Sequence, residues 1–245
     1  MSKKDDYNVI FIMADQMKAT ASRLYSEIGV ETPNLKRMKE NGVQFENTVT
    51  PHPLCVPART SVMSSKYPHT TGCRRNQTLK PNNENHIFKV WKNEGYKIGL
   101  IGKNHCFETE EDLNLFDHLD EFTHSGRNGN RAKMEKGAFS VTDSPLESYD
   151  SHIIADETKS FLNKYKDDNF SLWVSIPDPH EPYEVPRRFF EEAKNSFEFP
   201  EQRKDEFTDG TSPERNVVLN KILDFSNNEN SNNNDYNEDM VTTYM

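Results

Sequence analysis

Apolar positions in this chain gather into short runs separated by polar, helix-patterned stretches. Val9 to Met13 is continuously apolar and rich in β-branched and aromatic residues, which predicts a strand covered on both faces. Similar runs at Tyr96 to Ile101 and Asn169 to Ile176 predict two more strands, and Val43 to Thr50 reads as another. Between them, Thr32 to Gly42 reads as a helix with a capping Thr, Pro at its first position and Gly at its end. Glu84 to Glu94 predicts a helix closed by Gly95. Leu146 to Tyr165 predicts a long amphipathic helix with Ile153, Ile154, Phe161 and Leu162 on one side. This alternation implies an α/β fold with a mostly parallel sheet flanked by helices on both faces.

The strands run into polar, ionisable residues at their carboxyl ends, where open α/β sheets bind ligands. The first leads to Asp15-Gln16, the second through Gly102 to Lys103-Asn104-His105, and the third to Pro177-Asp178-Pro179-His180-Glu181-Pro182-Tyr183. A hard cation needs oxygen ligands, and Asp15 with the side-chain oxygen of Gln16 could supply them.

The densest chemical signal is Leu54-Cys55-Val56-Pro57-Ala58-Arg59, followed by Tyr67-Pro68-His69-Thr70-Thr71-Gly72. Cys-x-Pro-x-Arg arises by chance in on the order of one chain in a hundred of this length. Pro57 suits a first helical position and Ala58 to Ser65 reads as a short helix, so Cys55 is expected at a helix N-terminal mouth, which favours negative charge.

Composition narrows the partners. A formal net charge of −10 argues against nucleic acid, whose footprint is basic. No apolar run reaches membrane-spanning length, and Met1 to Asp6 leads into the first strand without an apolar leader, so a cytoplasmic protein with no membrane partner is expected. The three cysteines, Cys55, Cys73 and Cys106, show neither Cys-x-x-Cys zinc spacing nor a disulfide framework.

The Cys55 segment resembles the sulfatase signature, and the Asp15, Lys103-x-His105 and Pro179-His180 elements match that family in the same order. The resemblance implies an alkaline phosphatase-like fold and hydrolysis of a small anionic sulfate ester. It implies that Cys55 is converted to formylglycine by a formylglycine-generating enzyme and carries the nucleophile. By the same resemblance Asp15, Gln16 and modified Cys55 ligate Ca²⁺ (or Mg²⁺ or Mn²⁺), Arg59 orients the formylglycine, and Lys103, His105 and His180 hold sulfate oxygens and assist the leaving group. A phosphonate or phosphodiester hydrolase of the same superfamily and a truncated, non-catalytic relative are the competing readings.

Residues 1–225 read as a partial sulfatase N-terminal catalytic domain, 226–235 as an Asn-rich flexible loop, and 236–245 as the start of a helix that would continue the domain. His124 to Asp143, with Arg127, Arg131 and Lys133, reads as a surface excursion. No Asp-His-Gly-like element follows a strand, so the resemblance implies a chain truncated before the family's C-terminal metal-ligand strands, with about half of the metal shell and weak activity alone.

Overall fold

Along the chain the elements run β1 (Val9–Ala14), α1 (Pro33–Glu40), α2 (Cys55–Ser64), α3 (Pro68–Thr71), α4 (Ile87–Asn93), β2 (Lys97–Gly102), α5 (Glu110–Leu113), β3 (His118–Glu121), β4 (Phe139–Thr142), α6 (Asp150–Lys164), β5 (Phe170–Ile176), β6 (Tyr183–Pro186) and α7 (Arg187–Lys194). The computed structural model describes residues 7–27, 29–78, 80, 84–123 and 139–194. The chain divides into two units, one of Met1–Met17 and Gln44–Pro186, the other of Lys18–Val43 and Arg187–Met245.

In the first unit the three apolar runs become neighbours in one parallel sheet of order β1-β5-β2-β3. Side-chain alternation divides the core between the two faces of this sheet. Leu172 and Val174 of β5 and Ile101 of β2 pack with Ile154, Phe161 and Tyr165 on and just after α6. Trp173 of β5 and Ile98 and Leu100 of β2 pack on the opposite side with Met63 of α2 and Phe88 of α4. Helices therefore cover both faces of the two central strands, as the near-continuous apolar runs require. Gly99 has no side chain because a Cβ there would lie 2.5 Å from the Phe161 ring.

Several expectations are corrected. Among the described residues β1 is an edge strand of this sheet, and its Phe11 and Met13 face the core while Ile10 and Ile12 on the other face are 44% and 55% exposed. Among those residues its apolar run is thus not covered on both sides. Val43 to Thr50 is not a strand, and Val43, Phe45 and Val49 are exposed. Its apolar residues suit a pleat, but a strand also needs a ladder to satisfy its backbone groups, and among the described residues none pairs with it. α2 begins at Cys55, three residues earlier than expected, so Pro57 is its third residue. Proline is tolerated there because first-turn N–H groups have no intrahelical acceptor. The end of the expected excursion, Phe139–Thr142, is strand β4, paired in parallel with β6. Arg127, Arg131, Lys133, the 226–235 loop and the 236–245 helix lie outside the described residues.

In the second unit α1 follows Thr32 with Pro33 at its first turn, as predicted. The Thr32 hydroxyl does not cap the helix, because it pairs with the Ser22 hydroxyl at 2.6 Å.

Candidate active site

The sheet's register sets the site. Met13 and Gly102 both lie level with Ser175 of β5, so the loops after β1, β2 and β5 leave the sheet at the same height. Two backbone bonds extend the ladder past the strands: Asp15 N donates to Ile176 O (3.0 Å) and Lys103 N to Ser175 O (2.7 Å). Gly102 permits this close approach. Its φ of +104 disfavours any side chain, and a Cβ would fall 1.9 Å from the Ser175 carbonyl oxygen.

Cys55, as the first residue of α2, projects into the same place. Its Sγ lies 3.4 Å from Asp15 Oδ1 and 3.8 Å from Oδ2. The Val56 amide behind it donates to Asn76 Oδ1 (3.2 Å), which satisfies one of the N–H groups a helix start leaves open. The ammonium of Lys103 donates to Asp15 Oδ2 and stands 3.5 Å from Cys55 Sγ. Arg59, one turn along α2, is buried beneath them. Its Nη1 donates to the Lys103 carbonyl (2.8 Å) and the Ser175 hydroxyl (2.7 Å), its Nη2 is 3.7 Å from Asp15 Oδ1, and its guanidinium carbon lies 5.5 Å from the centre of the Trp173 ring. Arg59 thus braces the Asp15 and Lys103 loops.

His180 enters from the loop after β5. One of its ring nitrogens lies within 4.8 Å of ligand atoms of both Asp15 and Cys55. Its Nδ1 faces the Glu181 carbonyl at 2.7 Å, and a carbonyl can only accept, so Nδ1 carries a hydrogen. In the neutral ring the lone pair is then on Nε2. His105 lies outside this cluster of three, with its backbone held at a φ of +45, and exposed Gln16 is held at +61. Both stand in the left-handed region beside functional groups, where such strain concentrates. Asn104 holds the loop between Lys103 and Phe107, donating to Glu121 Oε1 and the Phe107 carbonyl at 2.7 Å each and accepting from the Cys106 and Phe107 amides.

The electrostatics favour an anion. Burial pushes the Asp15 carboxyl up, but the ammonium of Lys103, with Arg59 and His180 behind it, outweighs this and holds it below the usual carboxylate range. Burial likewise draws Lys103 below its ordinary value, against the pull of Asp15. The cations Lys103 and Arg59 on either side of Asp15 suit the oxygens of a sulfate or phosphate group.

The sequence-derived residues Asp15, Cys55, Arg59, Lys103 and His180 are therefore assembled in one place. Ser175, Asn76 and Trp173 were not singled out. Ser175 left a signal, a small polar residue inside an apolar strand run, whereas Asn76 left none. A hard cation takes about six to eight oxygen ligands. The described residues here offer the two oxygens of Asp15, with Gln16 adjacent, and so do not complete such a shell.

A parallel α/β sheet with cationic and nucleophilic side chains gathered at its carboxyl edge defines an α/β protein with a candidate active site. The family model for Sulfatase matches residues 7–244, and the chain belongs to that family. It is 29% identical over 191 residues to an ulvan-active sulfatase of Formosa agariphila, covering 72% of this chain and 36% of that protein. It is 26% identical over 174 residues to an N-acetylglucosamine-6-O-sulfatase of Bacteroides thetaiotaomicron, covering 71% of this chain and 30% of that protein. The chain thus spans about a third of the length of these relatives. Among solved structures, one in complex with its substrate D-glucosamine-2-N,6-O-disulfate superposes with a TM-score of 0.64 at 22% identity, over 80% of this chain and 39% of that one. The phosphonate monoester hydrolase of Agrobacterium radiobacter also reaches 0.64, at 17% identity, over 89% and 49%. Both likenesses establish the alkaline phosphatase-like fold. Among the described residues, no helix is long and apolar enough to cross a membrane.

Proposed function

We propose that this protein hydrolyses a sulfate ester with an oxygen nucleophile carried at position 55. The observation that supports this most is the convergence of Cys55, Asp15 and Lys103, drawn from three separate elements, within 3.8 Å contacts at the carboxyl edge of the sheet. On this reading Cys55 is the position converted to formylglycine, whose hydrate would supply the attacking oxygen and a second hydroxyl through which sulfate would be released.

The surrounding side chains fit that chemistry. Asp15 Oδ1, 3.4 Å from the Cys55 side-chain tip, is placed to orient a hydroxyl there and to draw on its proton. The Lys103 ammonium, 3.5 Å from the same tip, stabilises negative charge on that oxygen and on the sulfuryl oxygens. His180, on the loop opposite, is the group to hand a proton to the departing alcohol from Nε2 once its ring carries hydrogens on both nitrogens. Arg59 is a positioning residue, fixing Asp15 and the Lys103 loop from below. His105 keeps the family-derived role of a sulfate contact.

The relatives named for ulvan and N-acetylglucosamine 6-O-sulfate point to sulfated saccharides as substrates to try beside aryl sulfates. Rates of the matured full-length protein on an aryl sulfate and the matching aryl phosphonate test the reading. Preference for the sulfate, lost in Cys55→Ala, supports it; preference for the phosphonate replaces it with phosphonate monoester hydrolysis.

A further inference from the structure

We infer that the folded protein with Cys55 still a thiol carries a zinc-type metal site formed by Asp15, Cys55 and His180, and that conversion of the cysteine destroys it. The three side chains come from the loop after β1, the head of α2 and the loop after β5, and their ligand atoms lie within 4.8 Å of one another. No Cys-x-x-Cys spacing announces the site, because the fold assembles it from three distant parts of the sequence.

The donor set decides the metal. Carboxylate oxygen, thiolate sulfur and imidazole nitrogen are the ligands of Zn²⁺, which binds them at about 2.0–2.3 Å in tetrahedral geometry. Such bonds place neighbouring donors about 3.3–3.6 Å apart. Cys55 Sγ and Asp15 Oδ1 are already 3.4 Å apart. All three ligand atoms lie within 4.8 Å of one another, so His180 reaches the same metal by a local side-chain adjustment. With Nδ1 fixed to the Glu181 carbonyl, neutral His180 carries its ligating lone pair on Nε2, the outer-shell arrangement typical of metal-bound histidine.

The surrounding cations leave room for this. Lys103 holds Asp15 Oδ2, the oxygen farther from the sulfur, so Oδ1 can ligate while that ion pair persists. Arg59 Nη2 stands 3.7 Å from Oδ1, while its Nη1 keeps the bonds to the Lys103 carbonyl and Ser175. Binding deprotonates the thiol, and thiolate plus carboxylate balance the metal's two charges. Three protein donors leave the fourth position to water. A single carboxylate with sulfur and nitrogen neighbours is a poor cage for Ca²⁺, so the thiol form selects a borderline-soft ion instead. Replacing sulfur by oxygen removes that preference. The site rests on the geometry of the thiol form, and only its meaning for the enzyme, a metal-occupied state of unmatured chains, rests on the sulfatase reading.

The test uses the full chain made without the maturing activity, with Cys55 verified as thiol by mass, and Co²⁺ as the spectroscopic probe. One equivalent of Co²⁺ is expected to give tetrahedral visible bands and a thiolate-to-cobalt charge-transfer band, displaced by one equivalent of Zn²⁺. Cys55→Ser should lose the charge-transfer band, and His180→Ala should weaken Co²⁺ binding by at least about tenfold. Cys73→Ser should keep both. Unfolding midpoints of the variants show that each is folded. Absence of the charge-transfer band in the folded parent, its survival in Cys55→Ser, or unchanged binding in His180→Ala overturns the assignment. Sulfatase activity is read on the matured protein, which lacks the sulfur, so either claim can fail while the other stands.

Discussion

Gly102→Ala isolates the feature that brings Lys103 to the site. Two effects add at this residue. A φ of +104 is strained for alanine, about 1–3 kcal/mol. The new Cβ would also sit 1.9 Å from the Ser175 carbonyl oxygen, where carbon and oxygen need about 3.3 Å. Relieving that overlap means parting β2 from β5 at their carboxyl ends by more than about 1 Å, at a typical overpacking cost of about 1–3 kcal/mol. The Lys103 N to Ser175 O bond of 2.7 Å goes with it, worth about 1 kcal/mol. The total is roughly 3–7 kcal/mol, a large share of the ~5–15 kcal/mol that holds a domain together. Gly95→Ala is the matched comparison. Its φ is +84 and nothing lies within 4 Å of the added Cβ, so it should show only the backbone strain, about 1–2 kcal/mol. Urea unfolding of both variants, followed by tryptophan fluorescence because Trp173 lies on β5, reads the difference. Equal losses for Gly102→Ala and Gly95→Ala would refute the close-approach argument.

Other outcomes follow from the same geometry. Asp112 is fully buried against Lys80 (2.8 Å) and His86 (3.0 Å), so Asp112→Asn should cost about 3–5 kcal/mol in urea unfolding by removing the buried carboxylate charge that pairs with both; a loss under about 1 kcal/mol would contradict that. Burial pushes the Asp112 carboxyl up, but Lys80 and His86 outweigh it and hold it below its ordinary value, while burial lowers His86 against the pull of Asp112. Both depressed values give stability that is complete above the ordinary histidine value of about 6.5 and is lost as pH falls through each folded value; an unfolding midpoint flat from neutral pH to about 4 would contradict it. Arg59→Lys gives up the paired bonds to the Lys103 carbonyl and Ser175 and should lose about 2–4 kcal/mol of stability, together with aryl sulfate turnover. A variant with unchanged urea midpoint and unchanged kcat would remove Arg59 from its bracing role. Cys55→Ser, half-exposed at the helix start, should keep the parental unfolding midpoint while turnover by the matured protein disappears.

Much of this site was legible because its chemistry sits in local patterns. An apolar run ending in Asp15, Lys103 or His180 marks both a strand and the side chain its carboxyl end presents, and parallel pairing then brings those ends together. The Cys-x-Pro-x-Arg grouping likewise marks a helix start, although α2 begins at Cys55 and not at Ala58. What escaped was non-local. That Arg59 turns inward to Ser175 and Trp173 depends on which face of α2 meets the sheet, and the eight residues from Ala58 to Ser65 do not settle that by their period. The buried group of Lys80, His86 and Asp112 joins three segments whose charges, read singly, suggest solvated surface. β1 looks like an interior strand because apolar content reports a preference for burial, while its position at an edge is set by which strands pair. Val43 to Thr50 shows the converse, a strand-like composition without a ladder.

The central claim, that position 55 carries the nucleophile of a sulfate-ester hydrolase, is tested most directly by turnover of an aryl sulfate by the matured full-length protein and its Cys55→Ala variant. Peptide mass must first establish that the parent carries an aldehyde at this position. The account predicts sulfate release by the parent and none by the variant. Sulfate release that persists in Cys55→Ala, or an aldehyde-bearing parent that hydrolyses no sulfate ester, would contradict it.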